Sequence, residues 1–266
     1  MAEGSNRMKR VDYKAGKSGV PFYGYIHEDF TELGGMYKER PAVIVLPGGG
    51  YIKLSPREED PVVFSLFARG YNVFVLRYSV GDRIASPSYP EAEVAAAVSI
   101  LKERSRELSI MSNAIFTLGF SAGGHAAASE ACHWEKFGEK ARPDGVILCY
   151  PVITMGEKGH QGSTDSLTHG NAALISYYSL ETQVKETIPP VFIWHTASDA
   201  SVPVENSLMF ASSLIEHNAK LEMHIFPNGV HGLSTGKREV GKEEKRVQCW
   251  MDLACCFIEE LTGFRG

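Results

Sequence analysis

Ser121 stands in Gly119-Phe120-Ser121-Ala122-Gly123, a Gly-x-Ser-x-Gly pattern. A serine hydroxyl is a poor nucleophile at neutral pH and needs a base within hydrogen-bond reach, with an acid to orient that base. The pattern alone is weak. With 26 glycines in 266 residues, chance supplies such a match in roughly one chain in five of this length. The setting carries more information. An apolar run at residues 114–118 precedes the serine, and Gly124-His125-Ala126-Ala127-Ala128 follows as a small-residue helix start. Strand, turn and helix in that order are what a nucleophile elbow requires: the serine sits in a strained turn, and glycines let the flanking backbones pass. The plainer alternative is a serine in a glycine-rich turn.

The elements that would position this serine are legible as runs. Residues 42–46, 72–78, 145–150 and 191–195 are nearly continuous apolar stretches, the mark of strands buried on both faces. Residues 220–226 alternate as a last strand. Helical spacing covers residues 61–69, closing at Gly70, then 90–107 and 204–217, with an amphipathic helix over 242–261. Buried strands alternating with helices predict an α/β protein with a mostly parallel sheet covered on both faces. Residues 1–20 read as irregular, and 22–27 as an antiparallel edge strand. Residues 154–190 have no strand pattern and contain Gly156, Gly159, Gly162 and Gly170; they read as a small cap-like insertion with short helices near 172–179, ahead of the strand at 191–195. The whole of 1–266 reads as one domain.

In a parallel α/β sheet the reacting groups lie at the carboxyl ends of strands. Asp199 follows the strand at 191–195, and His231 follows the strand at 220–226 within Gly229-Val230-His231-Gly232. Both fall on the same rim as Ser121. The chain order is Ser, Asp, His. Glu205, a few residues beyond Asp199, is the rival acid. Among the other histidines, His224 lies inside a strand, His217 ends a helix, His125 follows the elbow, and His195 reads as a core or supporting residue.

Acyl transfer builds negative charge on a carbonyl oxygen, and backbone N–H groups aimed at it stabilise that charge by a few kcal/mol. Gly48-Gly49-Gly50, after the strand at 42–46, offers such groups without side chains in the way, and the Ala122 N–H at the elbow offers another. A flexible turn and a phosphate-cradling loop are the alternatives. The phosphate reading lacks a GxGxxG opening and a Walker lysine.

Composition narrows the partners. A net charge of −5 with scattered Lys and Arg argues against nucleic acid and anionic membrane surfaces. Residues 1–10 are polar and basic with no apolar stretch after them, so no secretory signal is expected. Apolar runs are too short to span a bilayer. Five cysteines, an odd number without CxxC spacing, fit reduced thiols in a cytoplasmic protein. Neither HExxH nor clustered ligand spacing appears, so no metal or cofactor is expected.

Pro47-Gly48-Gly49-Gly50-Tyr51, the stretch from Gly119 to His125, Tyr150-Pro151-Val152-Ile153, the stretch from His195 to Pro203, and Gly229-Val230-His231-Gly232 occur in order. Together they resemble the α/β-hydrolase esterases related to the hormone-sensitive-lipase group, and within it the bacterial carboxylesterase and acetyl-xylan-esterase-like proteins. The likeness runs from about residue 41 to about residue 235. It implies Ser121 as nucleophile, Asp199 as acid, His231 as base, and Gly49, Gly50 and Ala122 as oxyanion donors. Pro47 departs from the pattern, standing where many relatives carry the histidine of a His-Gly-Gly-Gly motif.

The resemblance implies a serine carboxylesterase acting through an acyl-enzyme, in a group whose members cleave acetyl-sugars, simple esters or formamides. The modest size of the insertion at 154–190 points to short-acyl, above all acetyl, esters, acetylated sugars included. The alternatives are an arylformamidase-type amidase with the same three residues, and a catalytically silent hydrolase fold that binds. Tyr51, His160 and Tyr177 are candidates for the substrate pocket, although the tyrosines equally suit a covering role over the core. The sequence leaves a homo-oligomer open.

Overall fold

A computed structural model describes residues 8–28 and 37–266. Its sheet is eight-stranded, in the order β1-β2-β4-β3-β5-β6-β7-β8. The strands are β1 (Met8–Ala15), β2 (Val20–His27), β3 (Arg40–Leu46), β4 (Asn72–Leu76), β5 (Ile110–Phe120), β6 (Gly145–Cys149), β7 (Val191–Thr196) and β8 (Leu221–Phe226). From β4 through β3 to β8 every pairing is parallel, while β1 with β2 and β2 with β4 are antiparallel. The α/β-hydrolase arrangement expected from the sequence is what the chain adopts.

The N-terminal segment corrects the sequence reading. Residues 8–15 are a strand, not irregular chain, and β2 lies inside the sheet, not at its edge. In β1 only Val11 and Ala15 are buried, so the apolar alternation that marks a half-buried strand is too thin to read. The part of the expected irregular segment before residue 8 lies outside the described residues.

The helices are α1 (Asp60–Phe67), α2 (Tyr89–Glu103), α3 (Ala122–His133), α4 (Gln161–Thr168), α5 (Ala172–Tyr178), α6 (Glu205–Glu216) and α7 (Trp250–Thr262). Strand side chains alternate between two cores because Cβ atoms point to opposite faces in turn. Ile44 and Leu46 join Val94, Val98 and Leu101 of α2, Ala127 and Ala131 of α3, and Phe210 and Leu214 of α6. Val43 and Val45 join Val62 and Leu66 of α1 and Trp250, Phe257 and Ile258 of α7. Each large apolar side chain so buried contributes about 1.5–3 kcal/mol, and the stretches 42–46, 73–76 and 146–149 at the centre of the sheet carry only apolar residues.

The last helix begins later than its sequence pattern suggests. The polar residues 242–246 are mostly exposed, a 3-10 turn spans Val247–Cys249, and α7 starts at Trp250, whose indole N–H donates to Ser234 O at 2.9 Å. Residues 154–190 hold α4, α5 and a 3-10 turn at Leu180–Thr182. Among the described residues no helix is long and apolar enough to cross a membrane.

Candidate active site

Five strands deliver their carboxyl ends to one place: β3 into Pro47-Gly48-Gly49-Gly50, β5 into Ser121, β6 into Tyr150, β7 into Asp199 and β8 into His231. At Ser121 the chain turns from β5 into α3 with φ 53° and ψ −117°, a conformation that L-residues avoid and that surrounding bonds must hold. Its N–H donates to Cys149 O at 3.0 Å, and its carbonyl accepts from the N–H groups of His125 and Val152 at 3.0 and 3.1 Å. The flanking glycines are sterically required. A Cβ on Gly123 would lie 2.2 Å from Leu46 O, and one on Gly119 would lie 2.3 Å from Gly123 O.

The loops bearing Asp199 and His231 are laced together before the side chains meet. Ala197 N–H donates to Phe226 O at 2.8 Å, and Thr196 Oγ1 donates to Gly229 O at 2.9 Å. Ser198 Oγ accepts the Gly229 N–H at 2.9 Å. Across this joint His231 Nδ1 lies 2.6 Å from Asp199 Oδ2, and His231 Nε2 lies 2.8 Å from Ser121 Oγ. Residues far apart in the chain, Ser121, Asp199 and His231, are thus brought into one hydrogen-bonded line. Glu205, the rival acid, is elsewhere: its carboxylate pairs with Lys158 at 3.5 Å on the surface.

Asp199 is nearly buried, and its environment favours the anion. Burial opposes ionisation, but hydrogen bonds from His195 and His231, the His231 charge and the Val202 N–H outweigh it, holding the carboxyl well below the usual range. His195 Nε2 donates to Val202 O at 3.0 Å and lies 3.4 Å from Asp199 Oδ2, while its Nδ1 is 2.8 Å from Ser207 Oγ. His195 is therefore the buried supporting residue expected of it.

Above Ser121 and His231 lies a cleft of about 490 Å³ that Gly49, Gly50, Arg57, Glu58 and His160 also line. That volume is in the range of small-molecule sites, roughly 300–1,000 Å³. Gly49 and Gly50 have φ of 132° and 66°. Among the described residues no acceptor takes the N–H groups of Gly49, Gly50 or Ala122, whereas Gly48 N–H donates to Glu58 Oε2 at 2.8 Å. Pro47, the departure from the family motif, keeps a structural bond: its carbonyl accepts from Tyr78 Oη at 2.7 Å.

Of the three pocket candidates only His160 reaches the cleft. Its Nδ1 accepts from Ser163 N–H at 3.1 Å as the cap of α4, so the ring proton of the neutral form sits on Nε2. Burial and the nearby His231 charge both lower its pKa. Tyr51 is buried with its Oη 2.7 Å from His125 Nδ1, and Tyr177 Oη donates to Glu91 Oε1 at 2.8 Å. Sequence reading missed Arg57 and Glu58, which stand in a charged run, Arg57-Glu58-Glu59-Asp60, of the kind usually found on a solvated surface. No group of three or more His, Cys, Asp or Glu among the described residues is arranged to hold a metal ion.

Residues 87–255 match the model of the prolyl oligopeptidase family. The chain belongs to that family. It is 36% identical over 229 residues, 82% of its length, to endo-1,4-beta-xylanase B of Butyrivibrio fibrisolvens, covering 36% of that protein. It is 30% identical over 207 residues, 73% of its length, to an acetylxylan esterase of Xylanibacter ruminicola, covering 41% of that protein. This prolyl oligopeptidase family member therefore spans well under half the length of these two relatives. A crystal structure of an acetyl ester-xyloside bifunctional hydrolase from Caldicellulosiruptor lactoaceticus is similar along nearly the whole chain. It has a TM-score of 0.82 and 36% identity over 93% of this chain and 90% of that one. The relationship to α/β-hydrolase-fold esterases, bacterial carboxylesterases and acetylxylan esterases expected from the motifs is borne out.

Proposed function

We propose that this protein is a serine carboxylesterase that removes short acyl groups, acetyl foremost, from small esters including acetylated sugars. The observation that carries the reading is the line Asp199–His231–Ser121, with contacts of 2.6 and 2.8 Å, opening into a cleft beside the Gly49 and Gly50 amides. Ser121 Oγ attacks the ester carbonyl carbon as its proton passes to His231 Nε2. Asp199 keeps the proton of Nδ1 directed toward itself and stabilises the imidazolium. The carbonyl oxygen, now an oxyanion, is met by the N–H groups of Gly49, Gly50 and Ala122. Collapse expels the alcohol, which takes the proton from His231, and leaves Ser121 acylated. Water, deprotonated by His231, then releases the acid and restores the serine.

The acetyl-sugar preference rests on likeness to an acetylxylan esterase and an acetyl ester-xyloside hydrolase. His160, with its proton on Nε2, is placed on the cleft wall to donate to a substrate oxygen, and residues 154–190, which bear it, act as a small cap. Free thiols at all five cysteines, Cys132 and Cys149 of them buried, support residence in the cytoplasm.

The test is turnover of p-nitrophenyl acetate and acetylated xylo-oligosaccharides beside N-formylkynurenine, with fluorophosphonate labelling of Ser121. Acetyl release and labelling are expected. Faster turnover of the formamide would replace the esterase by an amidase, and folded protein that neither labels nor turns over would leave a binding protein.

A further inference from the structure

Resting on the hydrolase reading, the geometry points to Glu58 as a positioning residue that fastens the glycine loop and the histidine loop to each other across the cleft floor. Glu58 ends the 3-10 turn Pro56–Glu58, in a run of charges, yet is 2% exposed. Both of its oxygens are occupied. Oε2 accepts from Gly48 N–H at 2.8 Å and Oε1 accepts from Tyr150 Oη at 2.7 Å.

Donor direction fixes which form of the side chain suits this place. A backbone N–H can only donate, so Gly48 requires an acceptor. Ser234 N–H donates to Tyr150 Oη at 2.8 Å, so the tyrosine spends its own proton on Glu58. Two donors thus converge on one carboxylate, and a glutamine would have to point an N–H₂ at one of them. Burial leaves the pKa of Glu58 raised, although the bonds from Tyr150 and Gly48 and the charges of Arg57 and His231 oppose it.

What the two arms hold is the reacting geometry. Gly48 is packed against the elbow: a Cβ there would lie 3.0 Å from Ser121 Cβ and 2.9 Å from Glu58 Oε2. The next residues are Gly49 and Gly50, which line the cleft and whose N–H groups have no acceptor among the described residues. On the other arm Tyr150 has φ 39° and sets its ring edge-on to His231, with centroids 5.0 Å apart at 70°. A further link runs alongside, Ser234 Oγ donating to Arg57 O at 2.6 Å. Glu58 therefore lines the cleft with both oxygens taken by protein donors, and it joins the glycine amides to the loop of the base.

The test compares Glu58→Gln, Tyr150→Phe and the double variant in p-nitrophenyl acetate hydrolysis, with the folded fraction followed by circular dichroism. In folded Glu58→Gln, kcat is expected to fall roughly tenfold to a hundredfold, as for small misplacements of reacting groups. KM should stay within about threefold, since ground-state contacts are untouched. Because both residues belong to one network, the double variant should be hardly slower than Glu58→Gln alone. Unchanged kcat in folded Glu58→Gln, or a loss that merely tracks the folded fraction, overturns the role. If Glu58→Gln does not fold, full kcat in Tyr150→Phe overturns it in the same way. Wild-type protein that neither turns over nor labels with a fluorophosphonate sinks the hydrolase reading and this role together, whereas an active wild type with an equally active Glu58→Gln sinks this role alone.

Discussion

Asp199 Oδ2 stands 2.6 Å from His231 Nδ1, and the carboxylate's other oxygen accepts the N–H groups of Ser201 and Val202 at 2.9 and 3.0 Å. The carboxylate is thereby fixed in direction before the imidazole docks on it. Asp199→Asn keeps the shape but can present an N–H₂ to Nδ1, turning the ring to the tautomer whose Nε2 cannot accept from Ser121. We expect kcat at neutral pH to fall by roughly 10³–10⁴-fold, measured on p-nitrophenyl acetate, with substrate KM little altered.

Ser121 is 7% exposed and its hydroxyl bonds to His231. Ser121→Ala should abolish ester turnover while moving the melting temperature by no more than about 2 °C, since little packing is lost. The φ of 53° yields a second outcome. Ser121→Gly relieves a strain that alanine keeps, so it should be more stable than Ser121→Ala by about 1 kcal/mol in urea unfolding. Equal stability would mean the elbow is unstrained.

Gly123, beneath the elbow, and Gly50, on the cleft wall, should respond differently to alanine. At Gly123 a Cβ meets the Leu46 and Pro47 carbonyls at 2.2 and 2.5 Å, and both are backbone that cannot step aside. Gly123→Ala should cost more than about 2 kcal/mol and remove activity. At Gly50 the nearest atom to a Cβ is His160 Cε1 at 3.6 Å, so only the φ of 66° resists. Gly50→Ala should cost about 1 kcal/mol, read from the shift of the urea midpoint.

His125 is fully buried, and burial pushes its pKa down to about 4. Its Nε2–H donates to Tyr178 O at 2.9 Å and its Nδ1 accepts from Tyr51 Oη at 2.7 Å, a pattern only the neutral ring satisfies. The unfolded chain takes up this proton near pH 6.5 and the native protein only near 4. Stability from this group is therefore full above 6.5 and is lost as the pH falls toward 4. Unfolding free energy should decline across that window, and His125→Asn should flatten the decline while lowering stability throughout. Tyr51→Phe, which leaves Nδ1 without its donor, should cost about 1–3 kcal/mol.

The fold was legible because its evidence is local. Apolar runs such as residues 42–46 and 191–195 can be buried only as doubly covered strands, and Gly-x-Ser-x-Gly between a strand and a helix states its own backbone demand. Strand ends also placed Asp199 and His231 on the rim of Ser121, since a parallel sheet sends its carboxyl ends to one side. Where the local signal was thin the reading failed: β1 buries only Val11 and Ala15, so its strand could not be seen.

Tertiary structure decided what depends on partners distant in the chain. Nothing near Tyr51 or Tyr177 in sequence tells that one is bound to His125 and the other to Glu91, away from the cleft. Glu58 reads as one charge among neighbours, because what buries it comes from Gly48 and from Tyr150, 92 residues away. Residue types and spacing thus determined the strand order of the chemistry and its candidate atoms. The distances between those atoms, and the groups that hold them there, arise only when hydrogen bonds across the sheet's rim select one arrangement of its loops.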